Sequence, residues 1–305
     1  MTPAPRGGAM QRRAAVAEIS AAAVKELRER TGAGMMECKK ALGEASGDFD
    51  KAVTLLRERG LAKAAKREGR ASNEGTVALA LDGATASLVE LGCETDFVAR
   101  TDDFQQFAQS LARTAIAAGA GTPDALVAAK LDGAPVSEKV AAVAAKLGEN
   151  VVVKRVGLLR APAGGTTGGY VHAGGKLGVA VAFATTARGA AMDTLAKEVS
   201  MHVAAADPSP VAIDRSGVPA DLLARERELF AKQAAQSGKP EKVIEKIVDG
   251  RIAKFYSEVC LLEQAFVMNP DQSVAQLLAA RGKELGAEVG VAGFVRFRLG
   301  EAQEA

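Results

Sequence analysis

The chain has 305 residues, of which 48% are hydrophobic and 25% are charged, and its formal net charge is +2 at pH 7. This length predicts two or three domains, because a domain usually has about 100–200 residues. The composition is that of an ordinary globular protein, which excludes a fibrous or disordered chain. Side chains that commonly do chemistry are scarce, with two His, three Cys, two Tyr and no Trp, and this disfavours an enzyme. The small net charge excludes a whole-protein field that would attract nucleic acid or anionic lipid.

The three cysteines, Cys38, Cys93 and Cys260, lie far apart in the sequence. An odd number of Cys without a CxxC pair fits neither a disulfide framework nor a zinc site, and it favours a reducing, cytoplasmic location. No apolar run approaches the ~18–20 residues that cross a bilayer, so no membrane partner is expected. Residues 1–16 carry three Arg and no acid and are predicted to be a disordered extension. A transit peptide is the alternative interpretation of this stretch.

Residues 17–60 are predicted to form a module of three short helices. Asp48 is suited to cap the third helix, in which Phe49, Val53 and Leu56 recur at positions i, i+4 and i+7. This spacing predicts one apolar stripe that faces the other two helices. A bundle this small buries little apolar surface, so we expect it to serve as a docking element attached to a larger body.

A basic segment follows the predicted helices. Residues 57–70 contain six basic and two acidic side chains. We interpret residues 61–74 as a solvated, partly helical linker in which the acids temper the charge. The alternative is that this segment contacts RNA phosphates.

The pattern changes to that of strands from residue 76. Residues 76–81 and 86–91 flank Asp82-Gly83, a pair that favours a β-hairpin because both residues tolerate positive φ. A polar loop and an amphipathic helix follow the hairpin. We therefore predict an α+β subdomain over residues 75–149, with helices on one face of an antiparallel sheet.

The same order of elements is repeated in the second half of the chain. A predicted strand over residues 150–159 is followed by a hairpin around Gly174-Gly175 and then by a helix, and a last strand is predicted at 289–298. We assign residues 150–218 and 263–300 to this second, related α+β subdomain. We assign residues 301–305 to a tail.

Residues 219–262 interrupt the second subdomain. Two long charged helices with apolar seams, which include Leu229 in the first and Val243 in the second, are separated by a break at residues 237–240. This pattern predicts an antiparallel helical hairpin that protrudes as a coiled-coil arm. Two alternatives stay open: the helices lie flat on the core, or the arm forms a homodimer.

The sequence contains no recognisable motif for a nucleotide or a metal. Gly174-Gly-Lys176 lacks the spacing of a phosphate-binding loop, and Gly119-Ala-Gly121 does not match the dinucleotide fingerprint. The glycine-rich stretch 164–169 is interpreted as a flexible connection. His172 and His202 have no ligand-type partner nearby in the sequence. We therefore expect no cofactor, no metal and no directly bound nucleotide.

The polar loop after the first hairpin contains an unusual sequence, Thr95-Asp-Phe-Val98. On residue type alone, Phe97 is more typical of a side chain that plugs the core, with Asp96 capping a helix. The alternative is a protruding ring that inserts into a partner, where its burial would contribute roughly 1.5–3 kcal/mol.

Several segments resemble the elongation factor Ts family in sequence and in order. They are Val24–Leu42, Thr95–Ala99, Lys146–Asn150, Met201–Ala205, Gln236–Pro240 and Phe266–Met268. The resemblance covers about residues 17–300, and its first two motifs are highly specific.

The resemblance implies a fold and a function. The fold would have an N-terminal module of three helices that is similar to a ubiquitin-associated domain, a core of two related α+β subdomains and a coiled-coil insertion in the second. The function would be exchange of GDP for GTP on elongation factor Tu, through displacement of Mg²⁺ and disturbance of the phosphate-binding loop, without a chemical reaction. The alternatives are a coiled-coil adaptor or an RNA-binding protein without exchange activity.

The resemblance also implies roles for individual residues. Thr95, Asp96, Phe97 and Val98 would displace the Mg²⁺ ion, with Phe97 as the wedge. The residues implied to contact the GTPase domain or its neighbouring domain are Met35, Lys39, Leu147, Gly148, His172, Val267 and Met268.

This chain departs from the family pattern at two points. The family commonly has Gln immediately before His172, whereas this chain has Val171, so polar support for His172 is not expected. The chain also stops five residues after Gly300, so the C-terminal helical module of some members is not expected.

Overall fold

The computed structural model describes residues 19–67, 69–236 and 240–301. The predicted extension at 1–16, residues 237–239 of the predicted break at 237–240 and residues 302–305 of the predicted tail lie outside these ranges. The described chain divides into two units. The first contains residues 19–67 and Ala141–Gly148, and the second contains Gly69–Val140 and the described residues from Glu149 onward.

Three helices form most of the first unit. They are α1 (Ala21–Thr31), α2 (Met35–Glu44) and α3 (Phe49–Ala65). The Ser20 hydroxyl accepts a hydrogen bond from Ala23 N at the start of α1, and the Asp48 carboxylate accepts one from Lys51 N at the start of α3. Leu27, Cys38, Leu42 and Leu56 share one buried cluster. Each helix therefore buries one apolar face against the other two.

Helix α3 is longer than expected. The predicted linker starts at residue 61, but α3 continues to Ala65, and the first strand already begins at Glu74. The helix continues through Gly60, where a Cβ would be 2.8 Å from Ala145 Cβ, so the glycine allows close packing at this point. An ion pair between Lys63 and Glu37 holds the extended part of the helix against α2.

The second unit contains ten strands and most of the remaining helices. In chain order they are β1 (Glu74–Asp82), β2 (Thr85–Cys93), α4 (Asp96–Ala99), α5 (Asp102–Ala118), α6 (Pro123–Ala128), β3 (Lys130–Leu131), β4 (Ala134–Pro135), α7 (Val136–Leu147), β5 (Val152–Arg160), β6 (Thr166–Val171), β7 (Leu177–Ala184), α8 (Ala190–Ala205), α9 (Ala220–Ala235), α10 (Glu241–Val259), β8 (Ala265–Phe266), β9 (Asn269–Ser273), α11 (Val274–Leu285) and β10 (Gly290–Arg298). Residues 141–147 of α7 belong to the first unit.

Two antiparallel three-stranded sheets, in the orders β1-β2-β5 and β6-β7-β10, form the centre of the second unit. Both predicted hairpins are present: Asp82 pairs with Thr85 across the first turn, and Gly174 and Gly175 adopt positive φ in the second. The predicted last strand completes the second sheet by pairing with β7.

Residues 150–159 form a strand, as predicted, but the prediction that this strand belongs to the second subdomain is wrong. Strand β5 pairs with β2 and completes the first sheet. Glu90 of β2 lies directly opposite Arg155 of β5, and their buried side chains form an ion pair with Nε and Oε2 2.5 Å apart. Each sheet thus consists of a hairpin and one strand that comes from much later in the sequence.

The glycine-rich stretch at 164–169 is not a flexible connection, since its last four residues lie in β6. A Cβ at Gly168 would be 2.4 Å from Ala196 Cβ, and one at Gly169 would be 2.6 Å from a Leu79 methyl group. The glycines allow α8 on one face and β1 on the other to pack closely against this strand.

Helices cover the sheets on their outer faces. Helix α5 buries Phe104 and Leu111 and contacts β1 and β2. Helix α8 packs on the second sheet, and α11 packs against α8 in the same core cluster. Between the sheets, Val77 and Leu88 pack in one cluster with Ala180. The predicted α+β class with antiparallel sheets is therefore confirmed.

Helices α9 and α10 pack against each other. Their contact is formed by Phe230, Ala234, Val248 and Ile252. The prediction that Leu229 and Val243 lie in the apolar seams is wrong. Both are exposed, because the buried stripe of each helix lies about one residue further along. No helix in the described ranges has both the length and the apolar character needed to cross a membrane.

Candidate partner-binding site

The loop that follows β2 is held by the carboxylate of Glu149. One Glu149 oxygen accepts hydrogen bonds from Glu94 N and Thr95 N, each at 3.0 Å, and the other accepts from the Thr95 hydroxyl at 2.5 Å. Glu94 in turn accepts a hydrogen bond from Asn150 N at 2.7 Å. Bonds to an ionised carboxylate are among the strongest in proteins, so this loop has a well-defined conformation.

The short helix α4 presents Phe97 to solvent. The Thr95 side chain caps this helix by accepting from Val98 N, and Asp96 forms an ion pair with Arg100 at 2.9 Å. The Phe97 side chain is 82% exposed. The interpretation of Phe97 as a core plug is therefore wrong, and the protruding alternative describes its position.

A buried thiol lies behind this loop. Cys93 donates a hydrogen bond to Thr95 O at 3.2 Å. Burial raises the pKa of the thiol to about 12, and the nearby negative charge of Glu149 adds to the effect. The thiol therefore stays protonated at neutral pH and remains a donor to the loop.

His172 lies in the turn between β6 and β7. Its Nδ1 is 2.8 Å from the Tyr170 hydroxyl, and both side chains are partly or fully exposed. Polar support for His172 was not expected because Val171 replaces the usual Gln, but Tyr170 provides it. The sequence contains a signal for this contact: Tyr170 and His172 are two residues apart, and residues i and i+2 lie on the same face of a strand.

Hydrogen bonds through β1 and α5 connect the His172 turn with α4. Gly175 O accepts from Val77 N at 2.7 Å. The neighbouring Thr76 hydroxyl donates to Gln105 Oε1 at 3.2 Å, and Gln105 Nε2 donates to Ala99 O at 2.6 Å. The structure thus links two elements that the sequence treated as separate.

Val267 and Met268 form the exposed turn between β8 and β9. Their side chains are 39% and 50% exposed. Two adjacent apolar side chains on this turn are therefore accessible to a partner.

The other predicted contact residues belong to the first unit. Met35 and Lys39 are exposed on the same face of α2, one turn apart, and Met35 is 56% exposed. Leu147 ends α7 and is half-buried, and Gly148 follows it with φ +78°. This positive φ favours glycine.

Among the described residues, no group of three or more His, Cys, Asp or Glu side chains could hold a metal ion. The three cysteines are free thiols and are buried.

Comparisons with known proteins identify the family. The sequence model of the family described as Elongation factor TS matches residues 94–301. An elongation factor Ts of Sphingopyxis alaskensis is 48% identical over 95% of each chain, and one of Thioalkalivibrio sulfidiphilus is 49% identical over 94% of each chain. One from Clostridium botulinum is 46% identical over 94% of each chain. The chain belongs to the elongation factor Ts family.

Membership of the elongation factor Ts family confirms the resemblance and implies, in general terms, a nucleotide-exchange role on elongation factor Tu. Sequence reasoning missed three side chains that shape the candidate surface of this family member: Glu149, Tyr170 and Gln105. Glu149 lies within the Lys146–Asn150 motif that carried part of the resemblance. The motif therefore contained the residue, but it gave no sign of the contact with residues 94–95.

Proposed function

We propose that this protein binds elongation factor Tu carrying GDP and accelerates the exchange of GDP for GTP. In this proposal Phe97 enters the GTPase domain as a wedge, displaces the partner's Mg²⁺ ion and, together with contacts from His172, disturbs the phosphate-binding loop. The observation that carries the proposal is the 82% exposure of Phe97 on a loop that hydrogen bonds hold in place.

The mechanism follows from thermodynamic linkage. A protein that binds the nucleotide-free partner more tightly than the GDP-bound partner must weaken GDP binding by the same factor. Each ~1.4 kcal/mol of this difference lowers GDP affinity tenfold. Complete burial of a Phe side chain contributes about 1.5–3 kcal/mol, so the Phe97 wedge alone can lower the affinity for GDP by roughly one to two powers of ten. No covalent bond is made or broken, and the protein needs no cofactor of its own.

The hydrogen bonds around Phe97 matter because they reduce the entropy lost on binding. An exposed ring on a loose loop would lose much of its burial energy to ordering of that loop. Here the Glu149 carboxylate and the Thr95 cap order the loop before the partner arrives. The remaining predicted contacts, among them Met35 and Lys39 of the first unit, would add affinity on the GTPase domain and its neighbouring domain.

The alternative functions have less support. The basic segment is partly neutralised, since Arg59 pairs with Glu44 and Lys63 with Glu37. This lowers its value as an RNA-binding surface. The apolar stripe of α9 is already covered by α10, so homodimerisation through residues 219–262 is not needed to bury it. A cytoplasmic location completes the proposal and suits three free, buried cysteines.

The test is a stopped-flow measurement of fluorescent-GDP release from elongation factor Tu. We expect Phe97→Ala to slow the stimulated release by about 10–100-fold, in line with the loss of one buried aromatic side chain. The matched control is Leu81→Ala, which removes another exposed apolar side chain from the same unit and should leave the rate unchanged. Equal rates for Phe97→Ala and the unmodified protein, with both folded, would refute the wedge.

A further inference from the structure

A buried histidine lies beneath the Val267–Met268 turn. His202 is in α8 and is fully buried, and its ring packs beside the ring of Phe266 with 5.8 Å between the centroids. Phe266 immediately precedes the exposed turn. A polar side chain in this position needs hydrogen-bond partners for both ring nitrogens.

Both ring nitrogens of His202 have a partner, and the partners determine the tautomer. The Val267 N–H donates to His202 Nδ1 at 3.2 Å, so Nδ1 acts as an acceptor and carries no proton. Nε2 therefore carries the proton and donates to Gln264 Oε1 at 3.0 Å. The imidazole is neutral in this arrangement, and burial lowers its pKa accordingly.

Gln264 holds the ring from the other side. Its Nε2 donates to Pro208 O at 3.0 Å and to Glu258 O, near the end of α10, at 2.7 Å. The orientation of this amide is thereby set, since Nε2 faces two carbonyl oxygens and Oε1 is left to face the imidazole. The chain of bonds extends from the backbone at the base of the helical hairpin, through Gln264 and His202, to the amide of Val267.

The strands on either side of the turn provide little support of their own. Strands β8 and β9 pair only at Ala265 with Ser273 and at Phe266 with Asn269, and the register shifts between these two pairs. Isolated two-stranded ribbons are marginally stable in water. The hydrogen bond from Val267 N to His202 Nδ1 therefore adds a tie to the turn that the strand pairing does not supply.

We propose that His202 is a positioning residue for partner binding: its Nδ1 holds the Val267 amide so that the Val267 and Met268 side chains face the partner in one conformation. The inference rests on the proposed function, because it takes this turn as a contact surface for elongation factor Tu. His202 touches neither the nucleotide nor the partner. It acts through the turn, and Gln264 acts through His202.

Two substitutions separate the two hydrogen bonds of His202. In His202→Asn, the side-chain oxygen can occupy the place of Nδ1 and accept from Val267 N, but the bond to Gln264 is lost. In His202→Gln, the amide can reach the place of Nε2 and donate to Gln264, but the Val267 amide loses its acceptor. Both variants remove ring volume from the core, so both are expected to melt at a lower temperature than the unmodified protein.

The experiment measures two quantities on the full chain below the melting range of both variants. Hydrogen exchange of the Val267 amide measures how well the turn is ordered. Calorimetric affinity for elongation factor Tu measures how much the turn contributes to binding. We expect His202→Gln to speed exchange at Val267 and weaken binding about tenfold, the size of one lost hydrogen bond. We expect His202→Asn to stay near the unmodified protein in both.

The outcomes distinguish the inference from the proposed function. If both variants lose affinity equally, or if His202→Gln binds normally, the positioning role is overturned. The combined Val267→Ala and Met268→Ala variant tests the turn itself: unchanged affinity there shows that the turn is not a contact, and the inference falls with it. If that variant binds weakly while His202→Gln does not, the inference alone fails.

Discussion

Two exposed segments of the second unit, the loop at residues 95–98 and the turn at residues 267–268, are supported in opposite ways. The half-buried, charged carboxylate of Glu149 holds the first through bonds to two backbone amides and a hydroxyl. The fully buried, neutral imidazole of His202 holds the second through one amide. A support that water can reach needs charge-assisted bonds to be effective, whereas a buried one is effective as a neutral group and would be costly as an ion.

Removal of the charged support should have the largest effect. Glu149→Ala deletes the acceptor of three hydrogen bonds to Glu94 and Thr95. We expect the stimulated release of GDP from elongation factor Tu to slow by roughly 10–100-fold, because bonds to charged groups contribute about 1.5–3 kcal/mol each and the loop that carries Phe97 loses its order. Stopped-flow fluorescence measures the rate.

Glu149→Gln is the matched control for the charge. Its amide oxygen can still accept from the two backbone amides, and its NH₂ can donate to the Thr95 hydroxyl. We expect an intermediate rate. A rate for Glu149→Ala equal to that of the unmodified protein would show that the loop does not need this support.

A steric pair of substitutions extends the comparison to the His172 turn. Gly174 and Gly175 both have positive φ, so alanine at either position should cost about 1 kcal/mol in backbone strain. A Cβ at Gly175 would also lie 2.2 Å from Thr76 Oγ1, whereas one at Gly174 meets nothing within 4 Å. We expect Gly175→Ala to lower the free energy of unfolding by about 2–3 kcal/mol and Gly174→Ala by about 1 kcal/mol.

Urea unfolding of both glycine variants measures the difference. Gly175→Ala should also slow GDP release, because Thr76 and Gly175 lie between the His172 turn and the Gln105 bond to Ala99. Identical stabilities for the two variants would mean that the turn can move away from Thr76 without a cost in free energy. The hydrogen bonds through Thr76 and Gln105 would then not couple the turn to α4.

The smallest expected effect is a pH dependence of the free energy of unfolding that arises from His202. Burial lowers the pKa of His202 in the folded protein below the ordinary value of 6.5. Between the two pKa values the unfolded chain binds the proton and the folded protein does not, so stability is full above pH ~6.5 and falls as the pH decreases toward the folded pKa. The slope for one group is at most about 1.4 kcal/mol per pH unit.

Urea unfolding at pH 7.5, 6.5 and 5.5 would check this dependence. His202→Asn removes the titrating group and should lose less stability over the same range. If the variant and the unmodified protein lose stability in parallel, the decline arises from other groups, and burial does not lower the pKa of His202 enough to affect stability.

The sequence predicted features that depend on neighbouring residues. Asp82-Gly83 indicated the first hairpin, and Asp48 indicated the start of α3, because turn and cap chemistry is local. The prediction for β5 was wrong, because the pairing of Glu90 with Arg155 joins segments that are far apart in the sequence, and neighbouring residues do not indicate it. Pairing in β-sheets depends on such non-local contacts more than helix formation does.

The candidate site was predictable to a similar extent. The exposure of Phe97 could not be deduced from residue type, which favours burial of an aromatic ring. The contact of Glu149 with this loop could not be deduced, because Glu149 follows Thr95 by 54 residues, although Glu149 itself lies in a motif that carried the resemblance. The resemblance located the residues on the surface, and the structure revealed the side chains beneath them.

The late position of β10 has a consequence for how the chain is made. The first sheet has all its strands once residue 160 has been synthesised, but the second sheet lacks its partner for β7 until residues 290–298 follow. Until then one edge of β7, whose sequence is almost wholly apolar, presents unpaired amides and carbonyls. An open apolar edge of this kind can pair with other chains, so we expect the nascent protein to be prone to aggregation from the synthesis of β7 until β10 has been made.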